Sequence, residues 1–335
     1  MSTPPFCIAY RNIAQSASVL ANAQVMAAIG FGAHTQTNPA DSRQFTVGLP
    51  ELGGNQTLEV WYSRLPLQKG ITGGIHWVGN QEVLLAHLLV EETAYPDLAS
   101  ATYAAYRQLL AFAHRQGYPC LLRIWNYFPA INRDDNGLER YQAFCQGRHQ
   151  ALATEPSSFE STLPAACALG SQTPGLLLYA LAARQSGIQI ENPRQLSAFR
   201  YPRRYGPKSP SFSRSILKSW GTGASHLYLS GTASIVGHLT RHHHDPIAQL
   251  HESLLNVETL LEQAGRRIQV PFRLALLKVY VRPTIDIARL HEPISERFGP
   301  ELPLLFLQAD ICRRDLLVEI EGLGVSLDGS PPISS

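Results

Sequence analysis

Apolar and polar residues alternate from Thr57 to Tyr62 (TLEVWY), the period of a strand with one buried face, and a Gly-rich turn leads to a second such run, Gly74 to Val78. The two are expected to pair as a hairpin. Glu82 to Val90 (EVLLAHLLV) is a further strand. Asp97 then stands where an N-cap belongs, ahead of a helix Leu98 to Arg115 that Gly117 ends. Cys120 to Asn126 (CLLRIWN) reads as a buried strand, so the order is strand, strand, helix, strand.

The C-terminal third repeats that order. His226–Ser230 and Ala233–Gly237 are expected strands, Asp245-Pro246 opens a helix through Ala264, and Ala275–Val281 is the strand that follows. The repetition suggests an internal duplication. A helix from about Asp286 to Phe298 then leads to two more strands, Phe306–Cys312 and Leu316–Glu321. Between the halves lie apolar runs at Leu163–Leu169 and Leu176–Ala182, then FRYPRRYGPKSPSFSR, whose three prolines and one glycine impose an ordered irregular loop. Residues 1–150 are expected to form a first, degenerate unit, 151–322 a second unit carrying the inserted loop, and 323–335 a flexible tail rich in Ser, Gly and Pro.

With 335 residues the chain can bury a large core without staples. Its 44% apolar and 16% charged content and net charge of +2 fit neither a disordered chain nor a nucleic-acid binder, which leaves a small molecule as the expected partner. Five scattered cysteines (Cys7, Cys120, Cys145, Cys167, Cys312) without a CxxC pair fit reduced thiols in a cytosol. MSTPPFCIAYRN has no basic region followed by an apolar core, and no apolar run reaches the roughly 18 residues of a membrane span. The expectation is a cytoplasmic protein with no membrane and no nucleic-acid partner. His242-His243-His244-Asp245 invites a metal reading, but three consecutive side chains cannot all face one ion on a regular element, and no metal is expected.

Four segments carry a more specific signal: LLRIWNYFPAIN (Leu121–Asn132), FCQGRHQAL (Phe144–Leu152), FRYPRRYGPKSPSFSRS (Phe199–Ser215) and SGTASIVGH (Ser230–His238). Together they resemble the chorismatase family. From Leu227 to Gly322, LYLSGTASIVGH, QLHESLLNVETLLEQAG, KVYVRP and LLVEIEG also resemble the RidA/YjgF fold, on which chorismatases are built. The resemblance implies an α+β fold of two RidA/YjgF-like units, mixed sheets with helices packed on one face, with the pocket where the halves meet. It further implies chorismate as substrate, release of pyruvate and a hydroxybenzoate (3-hydroxybenzoate, with 4-hydroxybenzoate as a further product), and no cofactor. Pigment or quinone precursors are the pathway it suggests. The competing readings are a RidA-like binding protein or imine deaminase and a pteridine-dependent deoxygenase. A GxGxxG element and an iron-type triad are both missing from the sequence, which weakens the last. A single chain with two such units is expected as a monomer, with a trimer as the alternative.

Cleaving an enolpyruvyl ether begins with protonation of the vinyl carbon, which suits a carboxylic acid kept protonated by burial. The resemblance places that role on Glu319. Strand alternation in LLVEIEG puts Leu317, Glu319 and Glu321 on one face, and Glu321 is read as a solvated strand-face residue. RidA proteins carry a carboxylate-binding arginine about fifteen residues before this glutamate; here that position is Leu304, so the clamp must come from elsewhere. Arg148, Arg203, Arg204, Arg214 and Arg282 are the candidates, with Arg148, Arg204 and Arg282 favoured and Tyr201 and Tyr205 as hydroxyl donors. Arg123, inside an apolar strand, is expected buried and paired, either lining the pocket or bracing the units. Cys312, seven residues before Glu319, is expected across a hairpin from it, with Arg313 and Arg314 placed to lower its pKa. In the family, cysteine here and glycine at Gly231 mark members that release a hydroxybenzoate, and alanine marks those that stop at the dihydrodiol.

Overall fold

The computed structural model describes residues 3–135, 137–154, 159–221, 223–283 and 285–327. The chain begins with strands β1 (Phe6–Asn12), β2 (Val25–Phe31), β3 (Gln44–Val47) and β4 (Thr57–Ser63), which with a short strand at Gln36–Thr37 make a leading five-stranded sheet. The alternation in TLEVWY is thus a strand as expected, but its partners are β1 and β2. The expected hairpin with Gly74–Val78 does not form. Alternation fixes which face of a strand is buried; it does not say which strand lies beside it.

A six-stranded sheet follows, built from β5 (Gln68–Thr72), β6 (Ile75–Gly79), β7 (Val83–Val90), β8 (Cys120–Pro129), β9 (Ala165–Ser171) and β10 (Leu176–Ala183). Helix α1 (Leu98–Arg115) connects β7 to β8, and α2 (Arg140–Leu152) precedes β9. Asp97 caps α1 by accepting from the Ser100 amide at 2.7 Å. The remaining strands are β11 (Ile188–Ile190), β12 (Ser215–Ser219), β13 (Ser225–Ala233), β14 (Phe272–Val281), β15 (Leu304–Gln308) and β16 (Val318–Ser326). Helix α3 (Pro246–Ile268) joins β13 to β14, and α4 (Ala288–Phe298) precedes β15.

The two sheets repeat one topology. The first runs β9-β8-β10-β7-β6-β5 and the second β15-β14-β16-β13-β12-β11, with Glu51–Leu52 added at the β15 edge. In each, the first pair in that order is parallel and the others are antiparallel. The duplication read from the sequence is therefore present, but its boundary is not at residue 150. Strands β9 and β10 complete the first sheet, so the first unit runs through Ala183 and the second begins at β11. The apolar runs around Leu163 and Leu176 carry no mark of the sheet they join.

Other corrections are local. The strand expected at His226–Ser230 is β13, which runs on to Ala233 with a register shift against β16 between Leu229 and Thr232; of the strand expected at Ala233–Gly237 only Ile235–Val236 is a separate strand, paired with Leu239–Thr240 outside the large sheets. Strand β16 also continues past Gly322 to Ser326, where a flexible tail was expected. The glycines there reflect close packing: a Cβ on Gly324 would lie 3.0 Å from Leu261 Cδ2 of α3 and 3.2 Å from Leu227 Cβ. Residues 328–335 of that expected tail lie outside the described residues.

Helix α3 covers β13, β14 and β16, and α1 covers β7 and β10 with α2 against it. Apolar cores fill both helix–sheet layers, the first with Phe112, Phe128 and Phe144 among its members and the second almost wholly aliphatic. A third core, rich in aromatic side chains, holds Trp61, Trp125, Tyr127, Tyr179, Tyr228 and Tyr280 from the three sheets. The inserted loop is irregular as expected, with 3-10 turns at Ala198–Arg200 and Arg203–Tyr205.

Candidate active site

Where α2 of the first unit meets β13 and β16 of the second, a cavity of about 320 Å³ opens, closed over by the inserted loop and the segment 312–316. That volume lies in the range of small-ligand sites. The first unit contributes Glu139, Tyr141 and Gln142. Tyr201, Arg204, Tyr205, Phe212 and Arg214 come from the inserted loop, and Gly231, Cys312 and Glu319 from the second unit.

Glu319 sits near the start of β16, its backbone paired with Ala233 of β13 and Tyr280 of β14. Only 5% of its surface is exposed, and no donor among the described residues hydrogen-bonds its carboxyl group. Burial, and then the nearby charge of Glu321, push its pKa up to about 8 against the opposing pull of Arg123 and Arg214. The acid is therefore protonated at neutral pH and faces the cavity.

Cys312 lines the same cavity, but not across a hairpin: β15 ends at Gln308 and pairs with β14, while β16 pairs with β13 and β14. Its thiol is not activated. Burial first, and then the charge of Glu319, push its pKa well up, and Arg313 only partly offsets them. It faces the cavity as a neutral, polarizable group.

The arginines separate into distinct roles. Arg214 is buried, donates from Nη2 to the Tyr201 hydroxyl at 2.7 Å and the Leu196 carbonyl at 2.8 Å, and keeps Nε without a partner. Arg204 reaches His238 Nδ1 at 2.8 Å, and the Tyr205 hydroxyl donates to the His238 carbonyl at 2.7 Å. Arg203 is exposed on its turn and does not line the cavity. Arg282 is committed elsewhere: it pairs with Asp310 at 2.5 Å and donates to Leu316 O and Asn132 Oδ1 at 2.8 Å and to Ile311 O and Arg313 O at 3.1 Å. It therefore braces the segment that carries Cys312, and the substrate contact expected for it is not available.

Arg148 lies one layer behind the wall. Its guanidinium stacks 5.0 Å from the Phe144 ring and 5.8 Å from that of Phe212, is almost wholly buried, and has no carboxylate partner among the described residues, with the Tyr106 hydroxyl as its polar neighbour. Such a group raises the positive potential of the cavity.

Arg313 and Arg314 were read only as modifiers of Cys312, yet both line the cavity. The Arg313 guanidinium lies 4.1 Å over the Tyr205 ring and donates to His238 O at 3.0 Å, and Arg314 donates to the Asn132 carbonyl. Tyr141 and Phe212 were also missed, although each lies in or beside a segment that carries the resemblance.

Geometry corrects the reading of Glu321 and decides that of Arg123. Glu321, taken as solvated, is buried: it accepts from Arg123 and, at 2.8 Å, from Trp125 Nε1. Arg123 thus braces the units and is absent from the cavity wall. His242 contacts Glu252 at 3.3 Å and His243 contacts Asp315 at 3.5 Å, and no group of three or more metal-ligating side chains occurs among the described residues.

Residues 59–182 match the family described as chorismatase FkbO/Hyg5-like, N-terminal. The chain is 36% identical over 295 residues to a 3-hydroxybenzoate synthase of Streptomyces hygroscopicus, covering 82% of this chain and 86% of that one. It is 39% identical over 274 residues to a chorismatase of Streptomyces rapamycinicus, covering 79% and 81%. A chorismatase crystal structure superposes with a TM-score of 0.87 at 32% identity over 96% of this chain and 99% of that one. The fold and the cavity thus belong to an enzyme of α+β architecture, and the chain is a member of the chorismatase family. Among the described residues no helix is long and apolar enough to cross a membrane.

Proposed function

We propose that the protein converts chorismate to pyruvate and 3-hydroxybenzoate, with Glu319 as the acid that starts the reaction. The observation that carries this reading is a buried, protonated carboxyl group facing a cavity rimmed by arginines. Chorismate carries two carboxylates, and Arg204, Arg214, Arg313 and Arg314 provide cations on the wall to receive them, with Arg148 behind. Tyr201 and Tyr205 orient two of these arginines by hydrogen bonding and stacking.

Glu319 gives its proton to the vinyl methylene carbon, which leaves an oxocarbenium ion at the ether carbon and a carboxylate on Glu319. The neighbouring arginines stabilise that carboxylate only as it forms, which is where stabilisation accelerates a step. Water adds to the cationic carbon to give a hemiketal; as this collapses, the bond to the ring ether oxygen breaks, the added water's proton passes to that oxygen and pyruvate leaves, after which loss of one water from the ring gives the aromatic acid. The two products together contain the atoms of chorismate, so any water that enters leaves again, and the balance needs no redox partner. Gly231 and Cys312, facing the ring, support retention until aromatisation rather than release as a dihydrodiol. The two units close their cavity within one chain, which supports action as a monomer, and five unpaired cysteines support a cytoplasmic setting.

The test is to incubate purified protein with chorismate, follow pyruvate by a coupled assay and resolve the ring products by chromatography. Stoichiometric pyruvate and 3-hydroxybenzoate, unchanged by exhaustive chelation, are expected, and the chromatogram also shows whether 4-hydroxybenzoate accompanies them. Binding without pyruvate release would overturn the enzymatic reading.

A further inference from the structure

Behind the cavity, on the far side of Glu319 from the substrate, lies a set of charged side chains that the proposed chemistry does not touch. Lys278 of β14 contacts Glu59 of β4 at 2.8 Å and Glu321 of β16 at 3.4 Å. Arg123 of β8 pairs with the other oxygen of Glu321. Trp125 and Trp61 donate their indole N–H groups to Glu321 and Glu59, each at 2.8 Å. All four charged side chains are buried, with relative exposures of 1 to 4%.

Burying four charges costs several kcal/mol each before pairing, and apolar residues of similar volume often serve stability as well. The arrangement is therefore expensive if its only role is to hold sheets together. Its position suggests another. Glu321 is two residues from Glu319, on the same face of β16. The Cys167 thiol of β9 contacts Glu321 and lies within the field of Glu319, its Cβ 3.1 Å from where a Gly231 Cβ would stand.

We propose that the network Glu59–Lys278–Glu321–Arg123 is the positioning device of the catalytic acid: it keeps Glu321 ionised at a fixed place beside Glu319, so that Glu319 holds its proton until substrate arrives. This inference rests on Glu319 being that acid. The groups facing Glu319 are Glu321 on its own strand, Arg123 on β8, Cys167 on β9, Arg214 of the inserted loop and Cys312 of the segment before β16. Those facing Glu321 are Arg123, Lys278, Trp125 and Cys167, together with the buried hydroxyls of Tyr10, Tyr127, Tyr179 and Tyr280. Burial alone would neutralise Glu321, but Arg123 and Lys278 overcome it and hold the carboxyl group below its ordinary pKa. A permanent negative charge there disfavours a second one on Glu319.

Glu321→Gln keeps the shape and the bond from Trp125 while removing the charge. It leaves Arg123 and Lys278 less compensated, so both effects favour the ionised form of Glu319. The alkaline limb of kcat/KM is expected to move to lower pH by about one unit or more. Because that profile presumes a catalytic Glu319, the ionisation is also read directly as the infrared carboxylic-acid band lost in a Glu319→Gln background. That band should disappear at correspondingly lower pH in Glu321→Gln. A band titrating where it does in the wild type would overturn the proposal, whatever the activity. A band that moves while turnover stays unaffected by Glu319→Gln would instead refute the catalytic assignment. Should Glu321→Gln not fold, Arg123→Met with Glu321→Gln removes the pair together; the band should still titrate lower, because the effect of Glu321 on Glu319 exceeds that of Arg123, and an unmoved band again overturns it.

Discussion

A Cβ built on Gly231 would overlap Oε1 of Glu319 and lie 2.9 Å from its Cδ. The acid lies flat against the backbone of β13, in space that any other residue would fill. Cys167 closes the same spot from behind, with its Cβ 3.1 Å from the added carbon. Gly231 and Glu319 therefore form one unit, where the resemblance had set Gly231 apart as a mark of product type.

The first prediction follows from that overlap. Gly231→Ala is expected to turn the Glu319 carboxyl group away, slowing pyruvate release by about 10-fold to 100-fold, because misplacing a reacting group by about an ångström costs that much. The dihydrodiol should rise among the ring products. Unchanged pyruvate release, measured by the coupled assay, would show that the carboxyl group does not work from the position seen here.

Cys312→Ala, by contrast, touches no bond of Glu319. Pyruvate release should stay within a few-fold of wild type while chromatography shows less 3-hydroxybenzoate. An unaltered product ratio would return Cys312 to a packing role, the commonest one for a buried thiol.

Glu319→Gln should lower turnover by about 100-fold to 10,000-fold, the usual contribution of a positioned general acid. In the wild type, activity should hold through neutral pH and fall as pH rises past about 8, where the acid loses its proton. Stability carries the same sign. The unfolded chain releases this proton near the ordinary value of 4.5 and the folded one near 8, so wild-type stability declines as pH rises between those limits and then levels off. Glu319→Gln lacks that decline, and its melting temperature should exceed that of the wild type increasingly from pH 5 to 8. Parallel melting curves across that range would contradict the buried, neutral acid.

Arg148→Met and Arg282→Met should diverge. Removing a buried guanidinium that has no carboxylate partner relieves a desolvation cost, so Arg148→Met should melt no lower than wild type while its KM for chorismate rises about 10-fold or more. Arg282→Met leaves several carbonyls without a donor, while the half-exposed Asp310 stays solvated, and should cost about 1–3 kcal/mol in denaturant unfolding. If Arg282→Met instead keeps wild-type stability with a raised KM, its expected substrate contact is real after all.

What the sequence made legible follows from how local each signal is. Asp97 and the periodicity after it delimit α1 to the residue, and Asp245-Pro246 opens α3, because caps and periodicity are read within a few positions. Strand partners are set by residues far apart, so Thr57–Ser63 was recognised as a strand and given the wrong neighbour. Glu321 was misread for a related reason. Its two cations stand 198 and 43 residues away in the chain, and a strand with polar residues at every second place looks the same whether that face meets water or buried charge. Glu319, Arg204, Arg214, Tyr201 and Tyr205 fall in segments that carry the resemblance, and the cavity brings them together.

The repeated sheet topology bears on how substitutions in this chain would be tolerated. Strand β10 occupies in the first sheet the place β16 holds in the second, yet its sequence, LLLYALAA, has no acid in it. On this central strand one half of the duplication carries the proposed acid and the other only apolar and small residues with one tyrosine. Changes in β10 are then felt through protein abundance, as are changes at the buried Val318 and Ile320 of β16, whereas a change at Glu319 should leave abundance intact and silence turnover. Two strands of shared architecture would thus be read by selection through different losses.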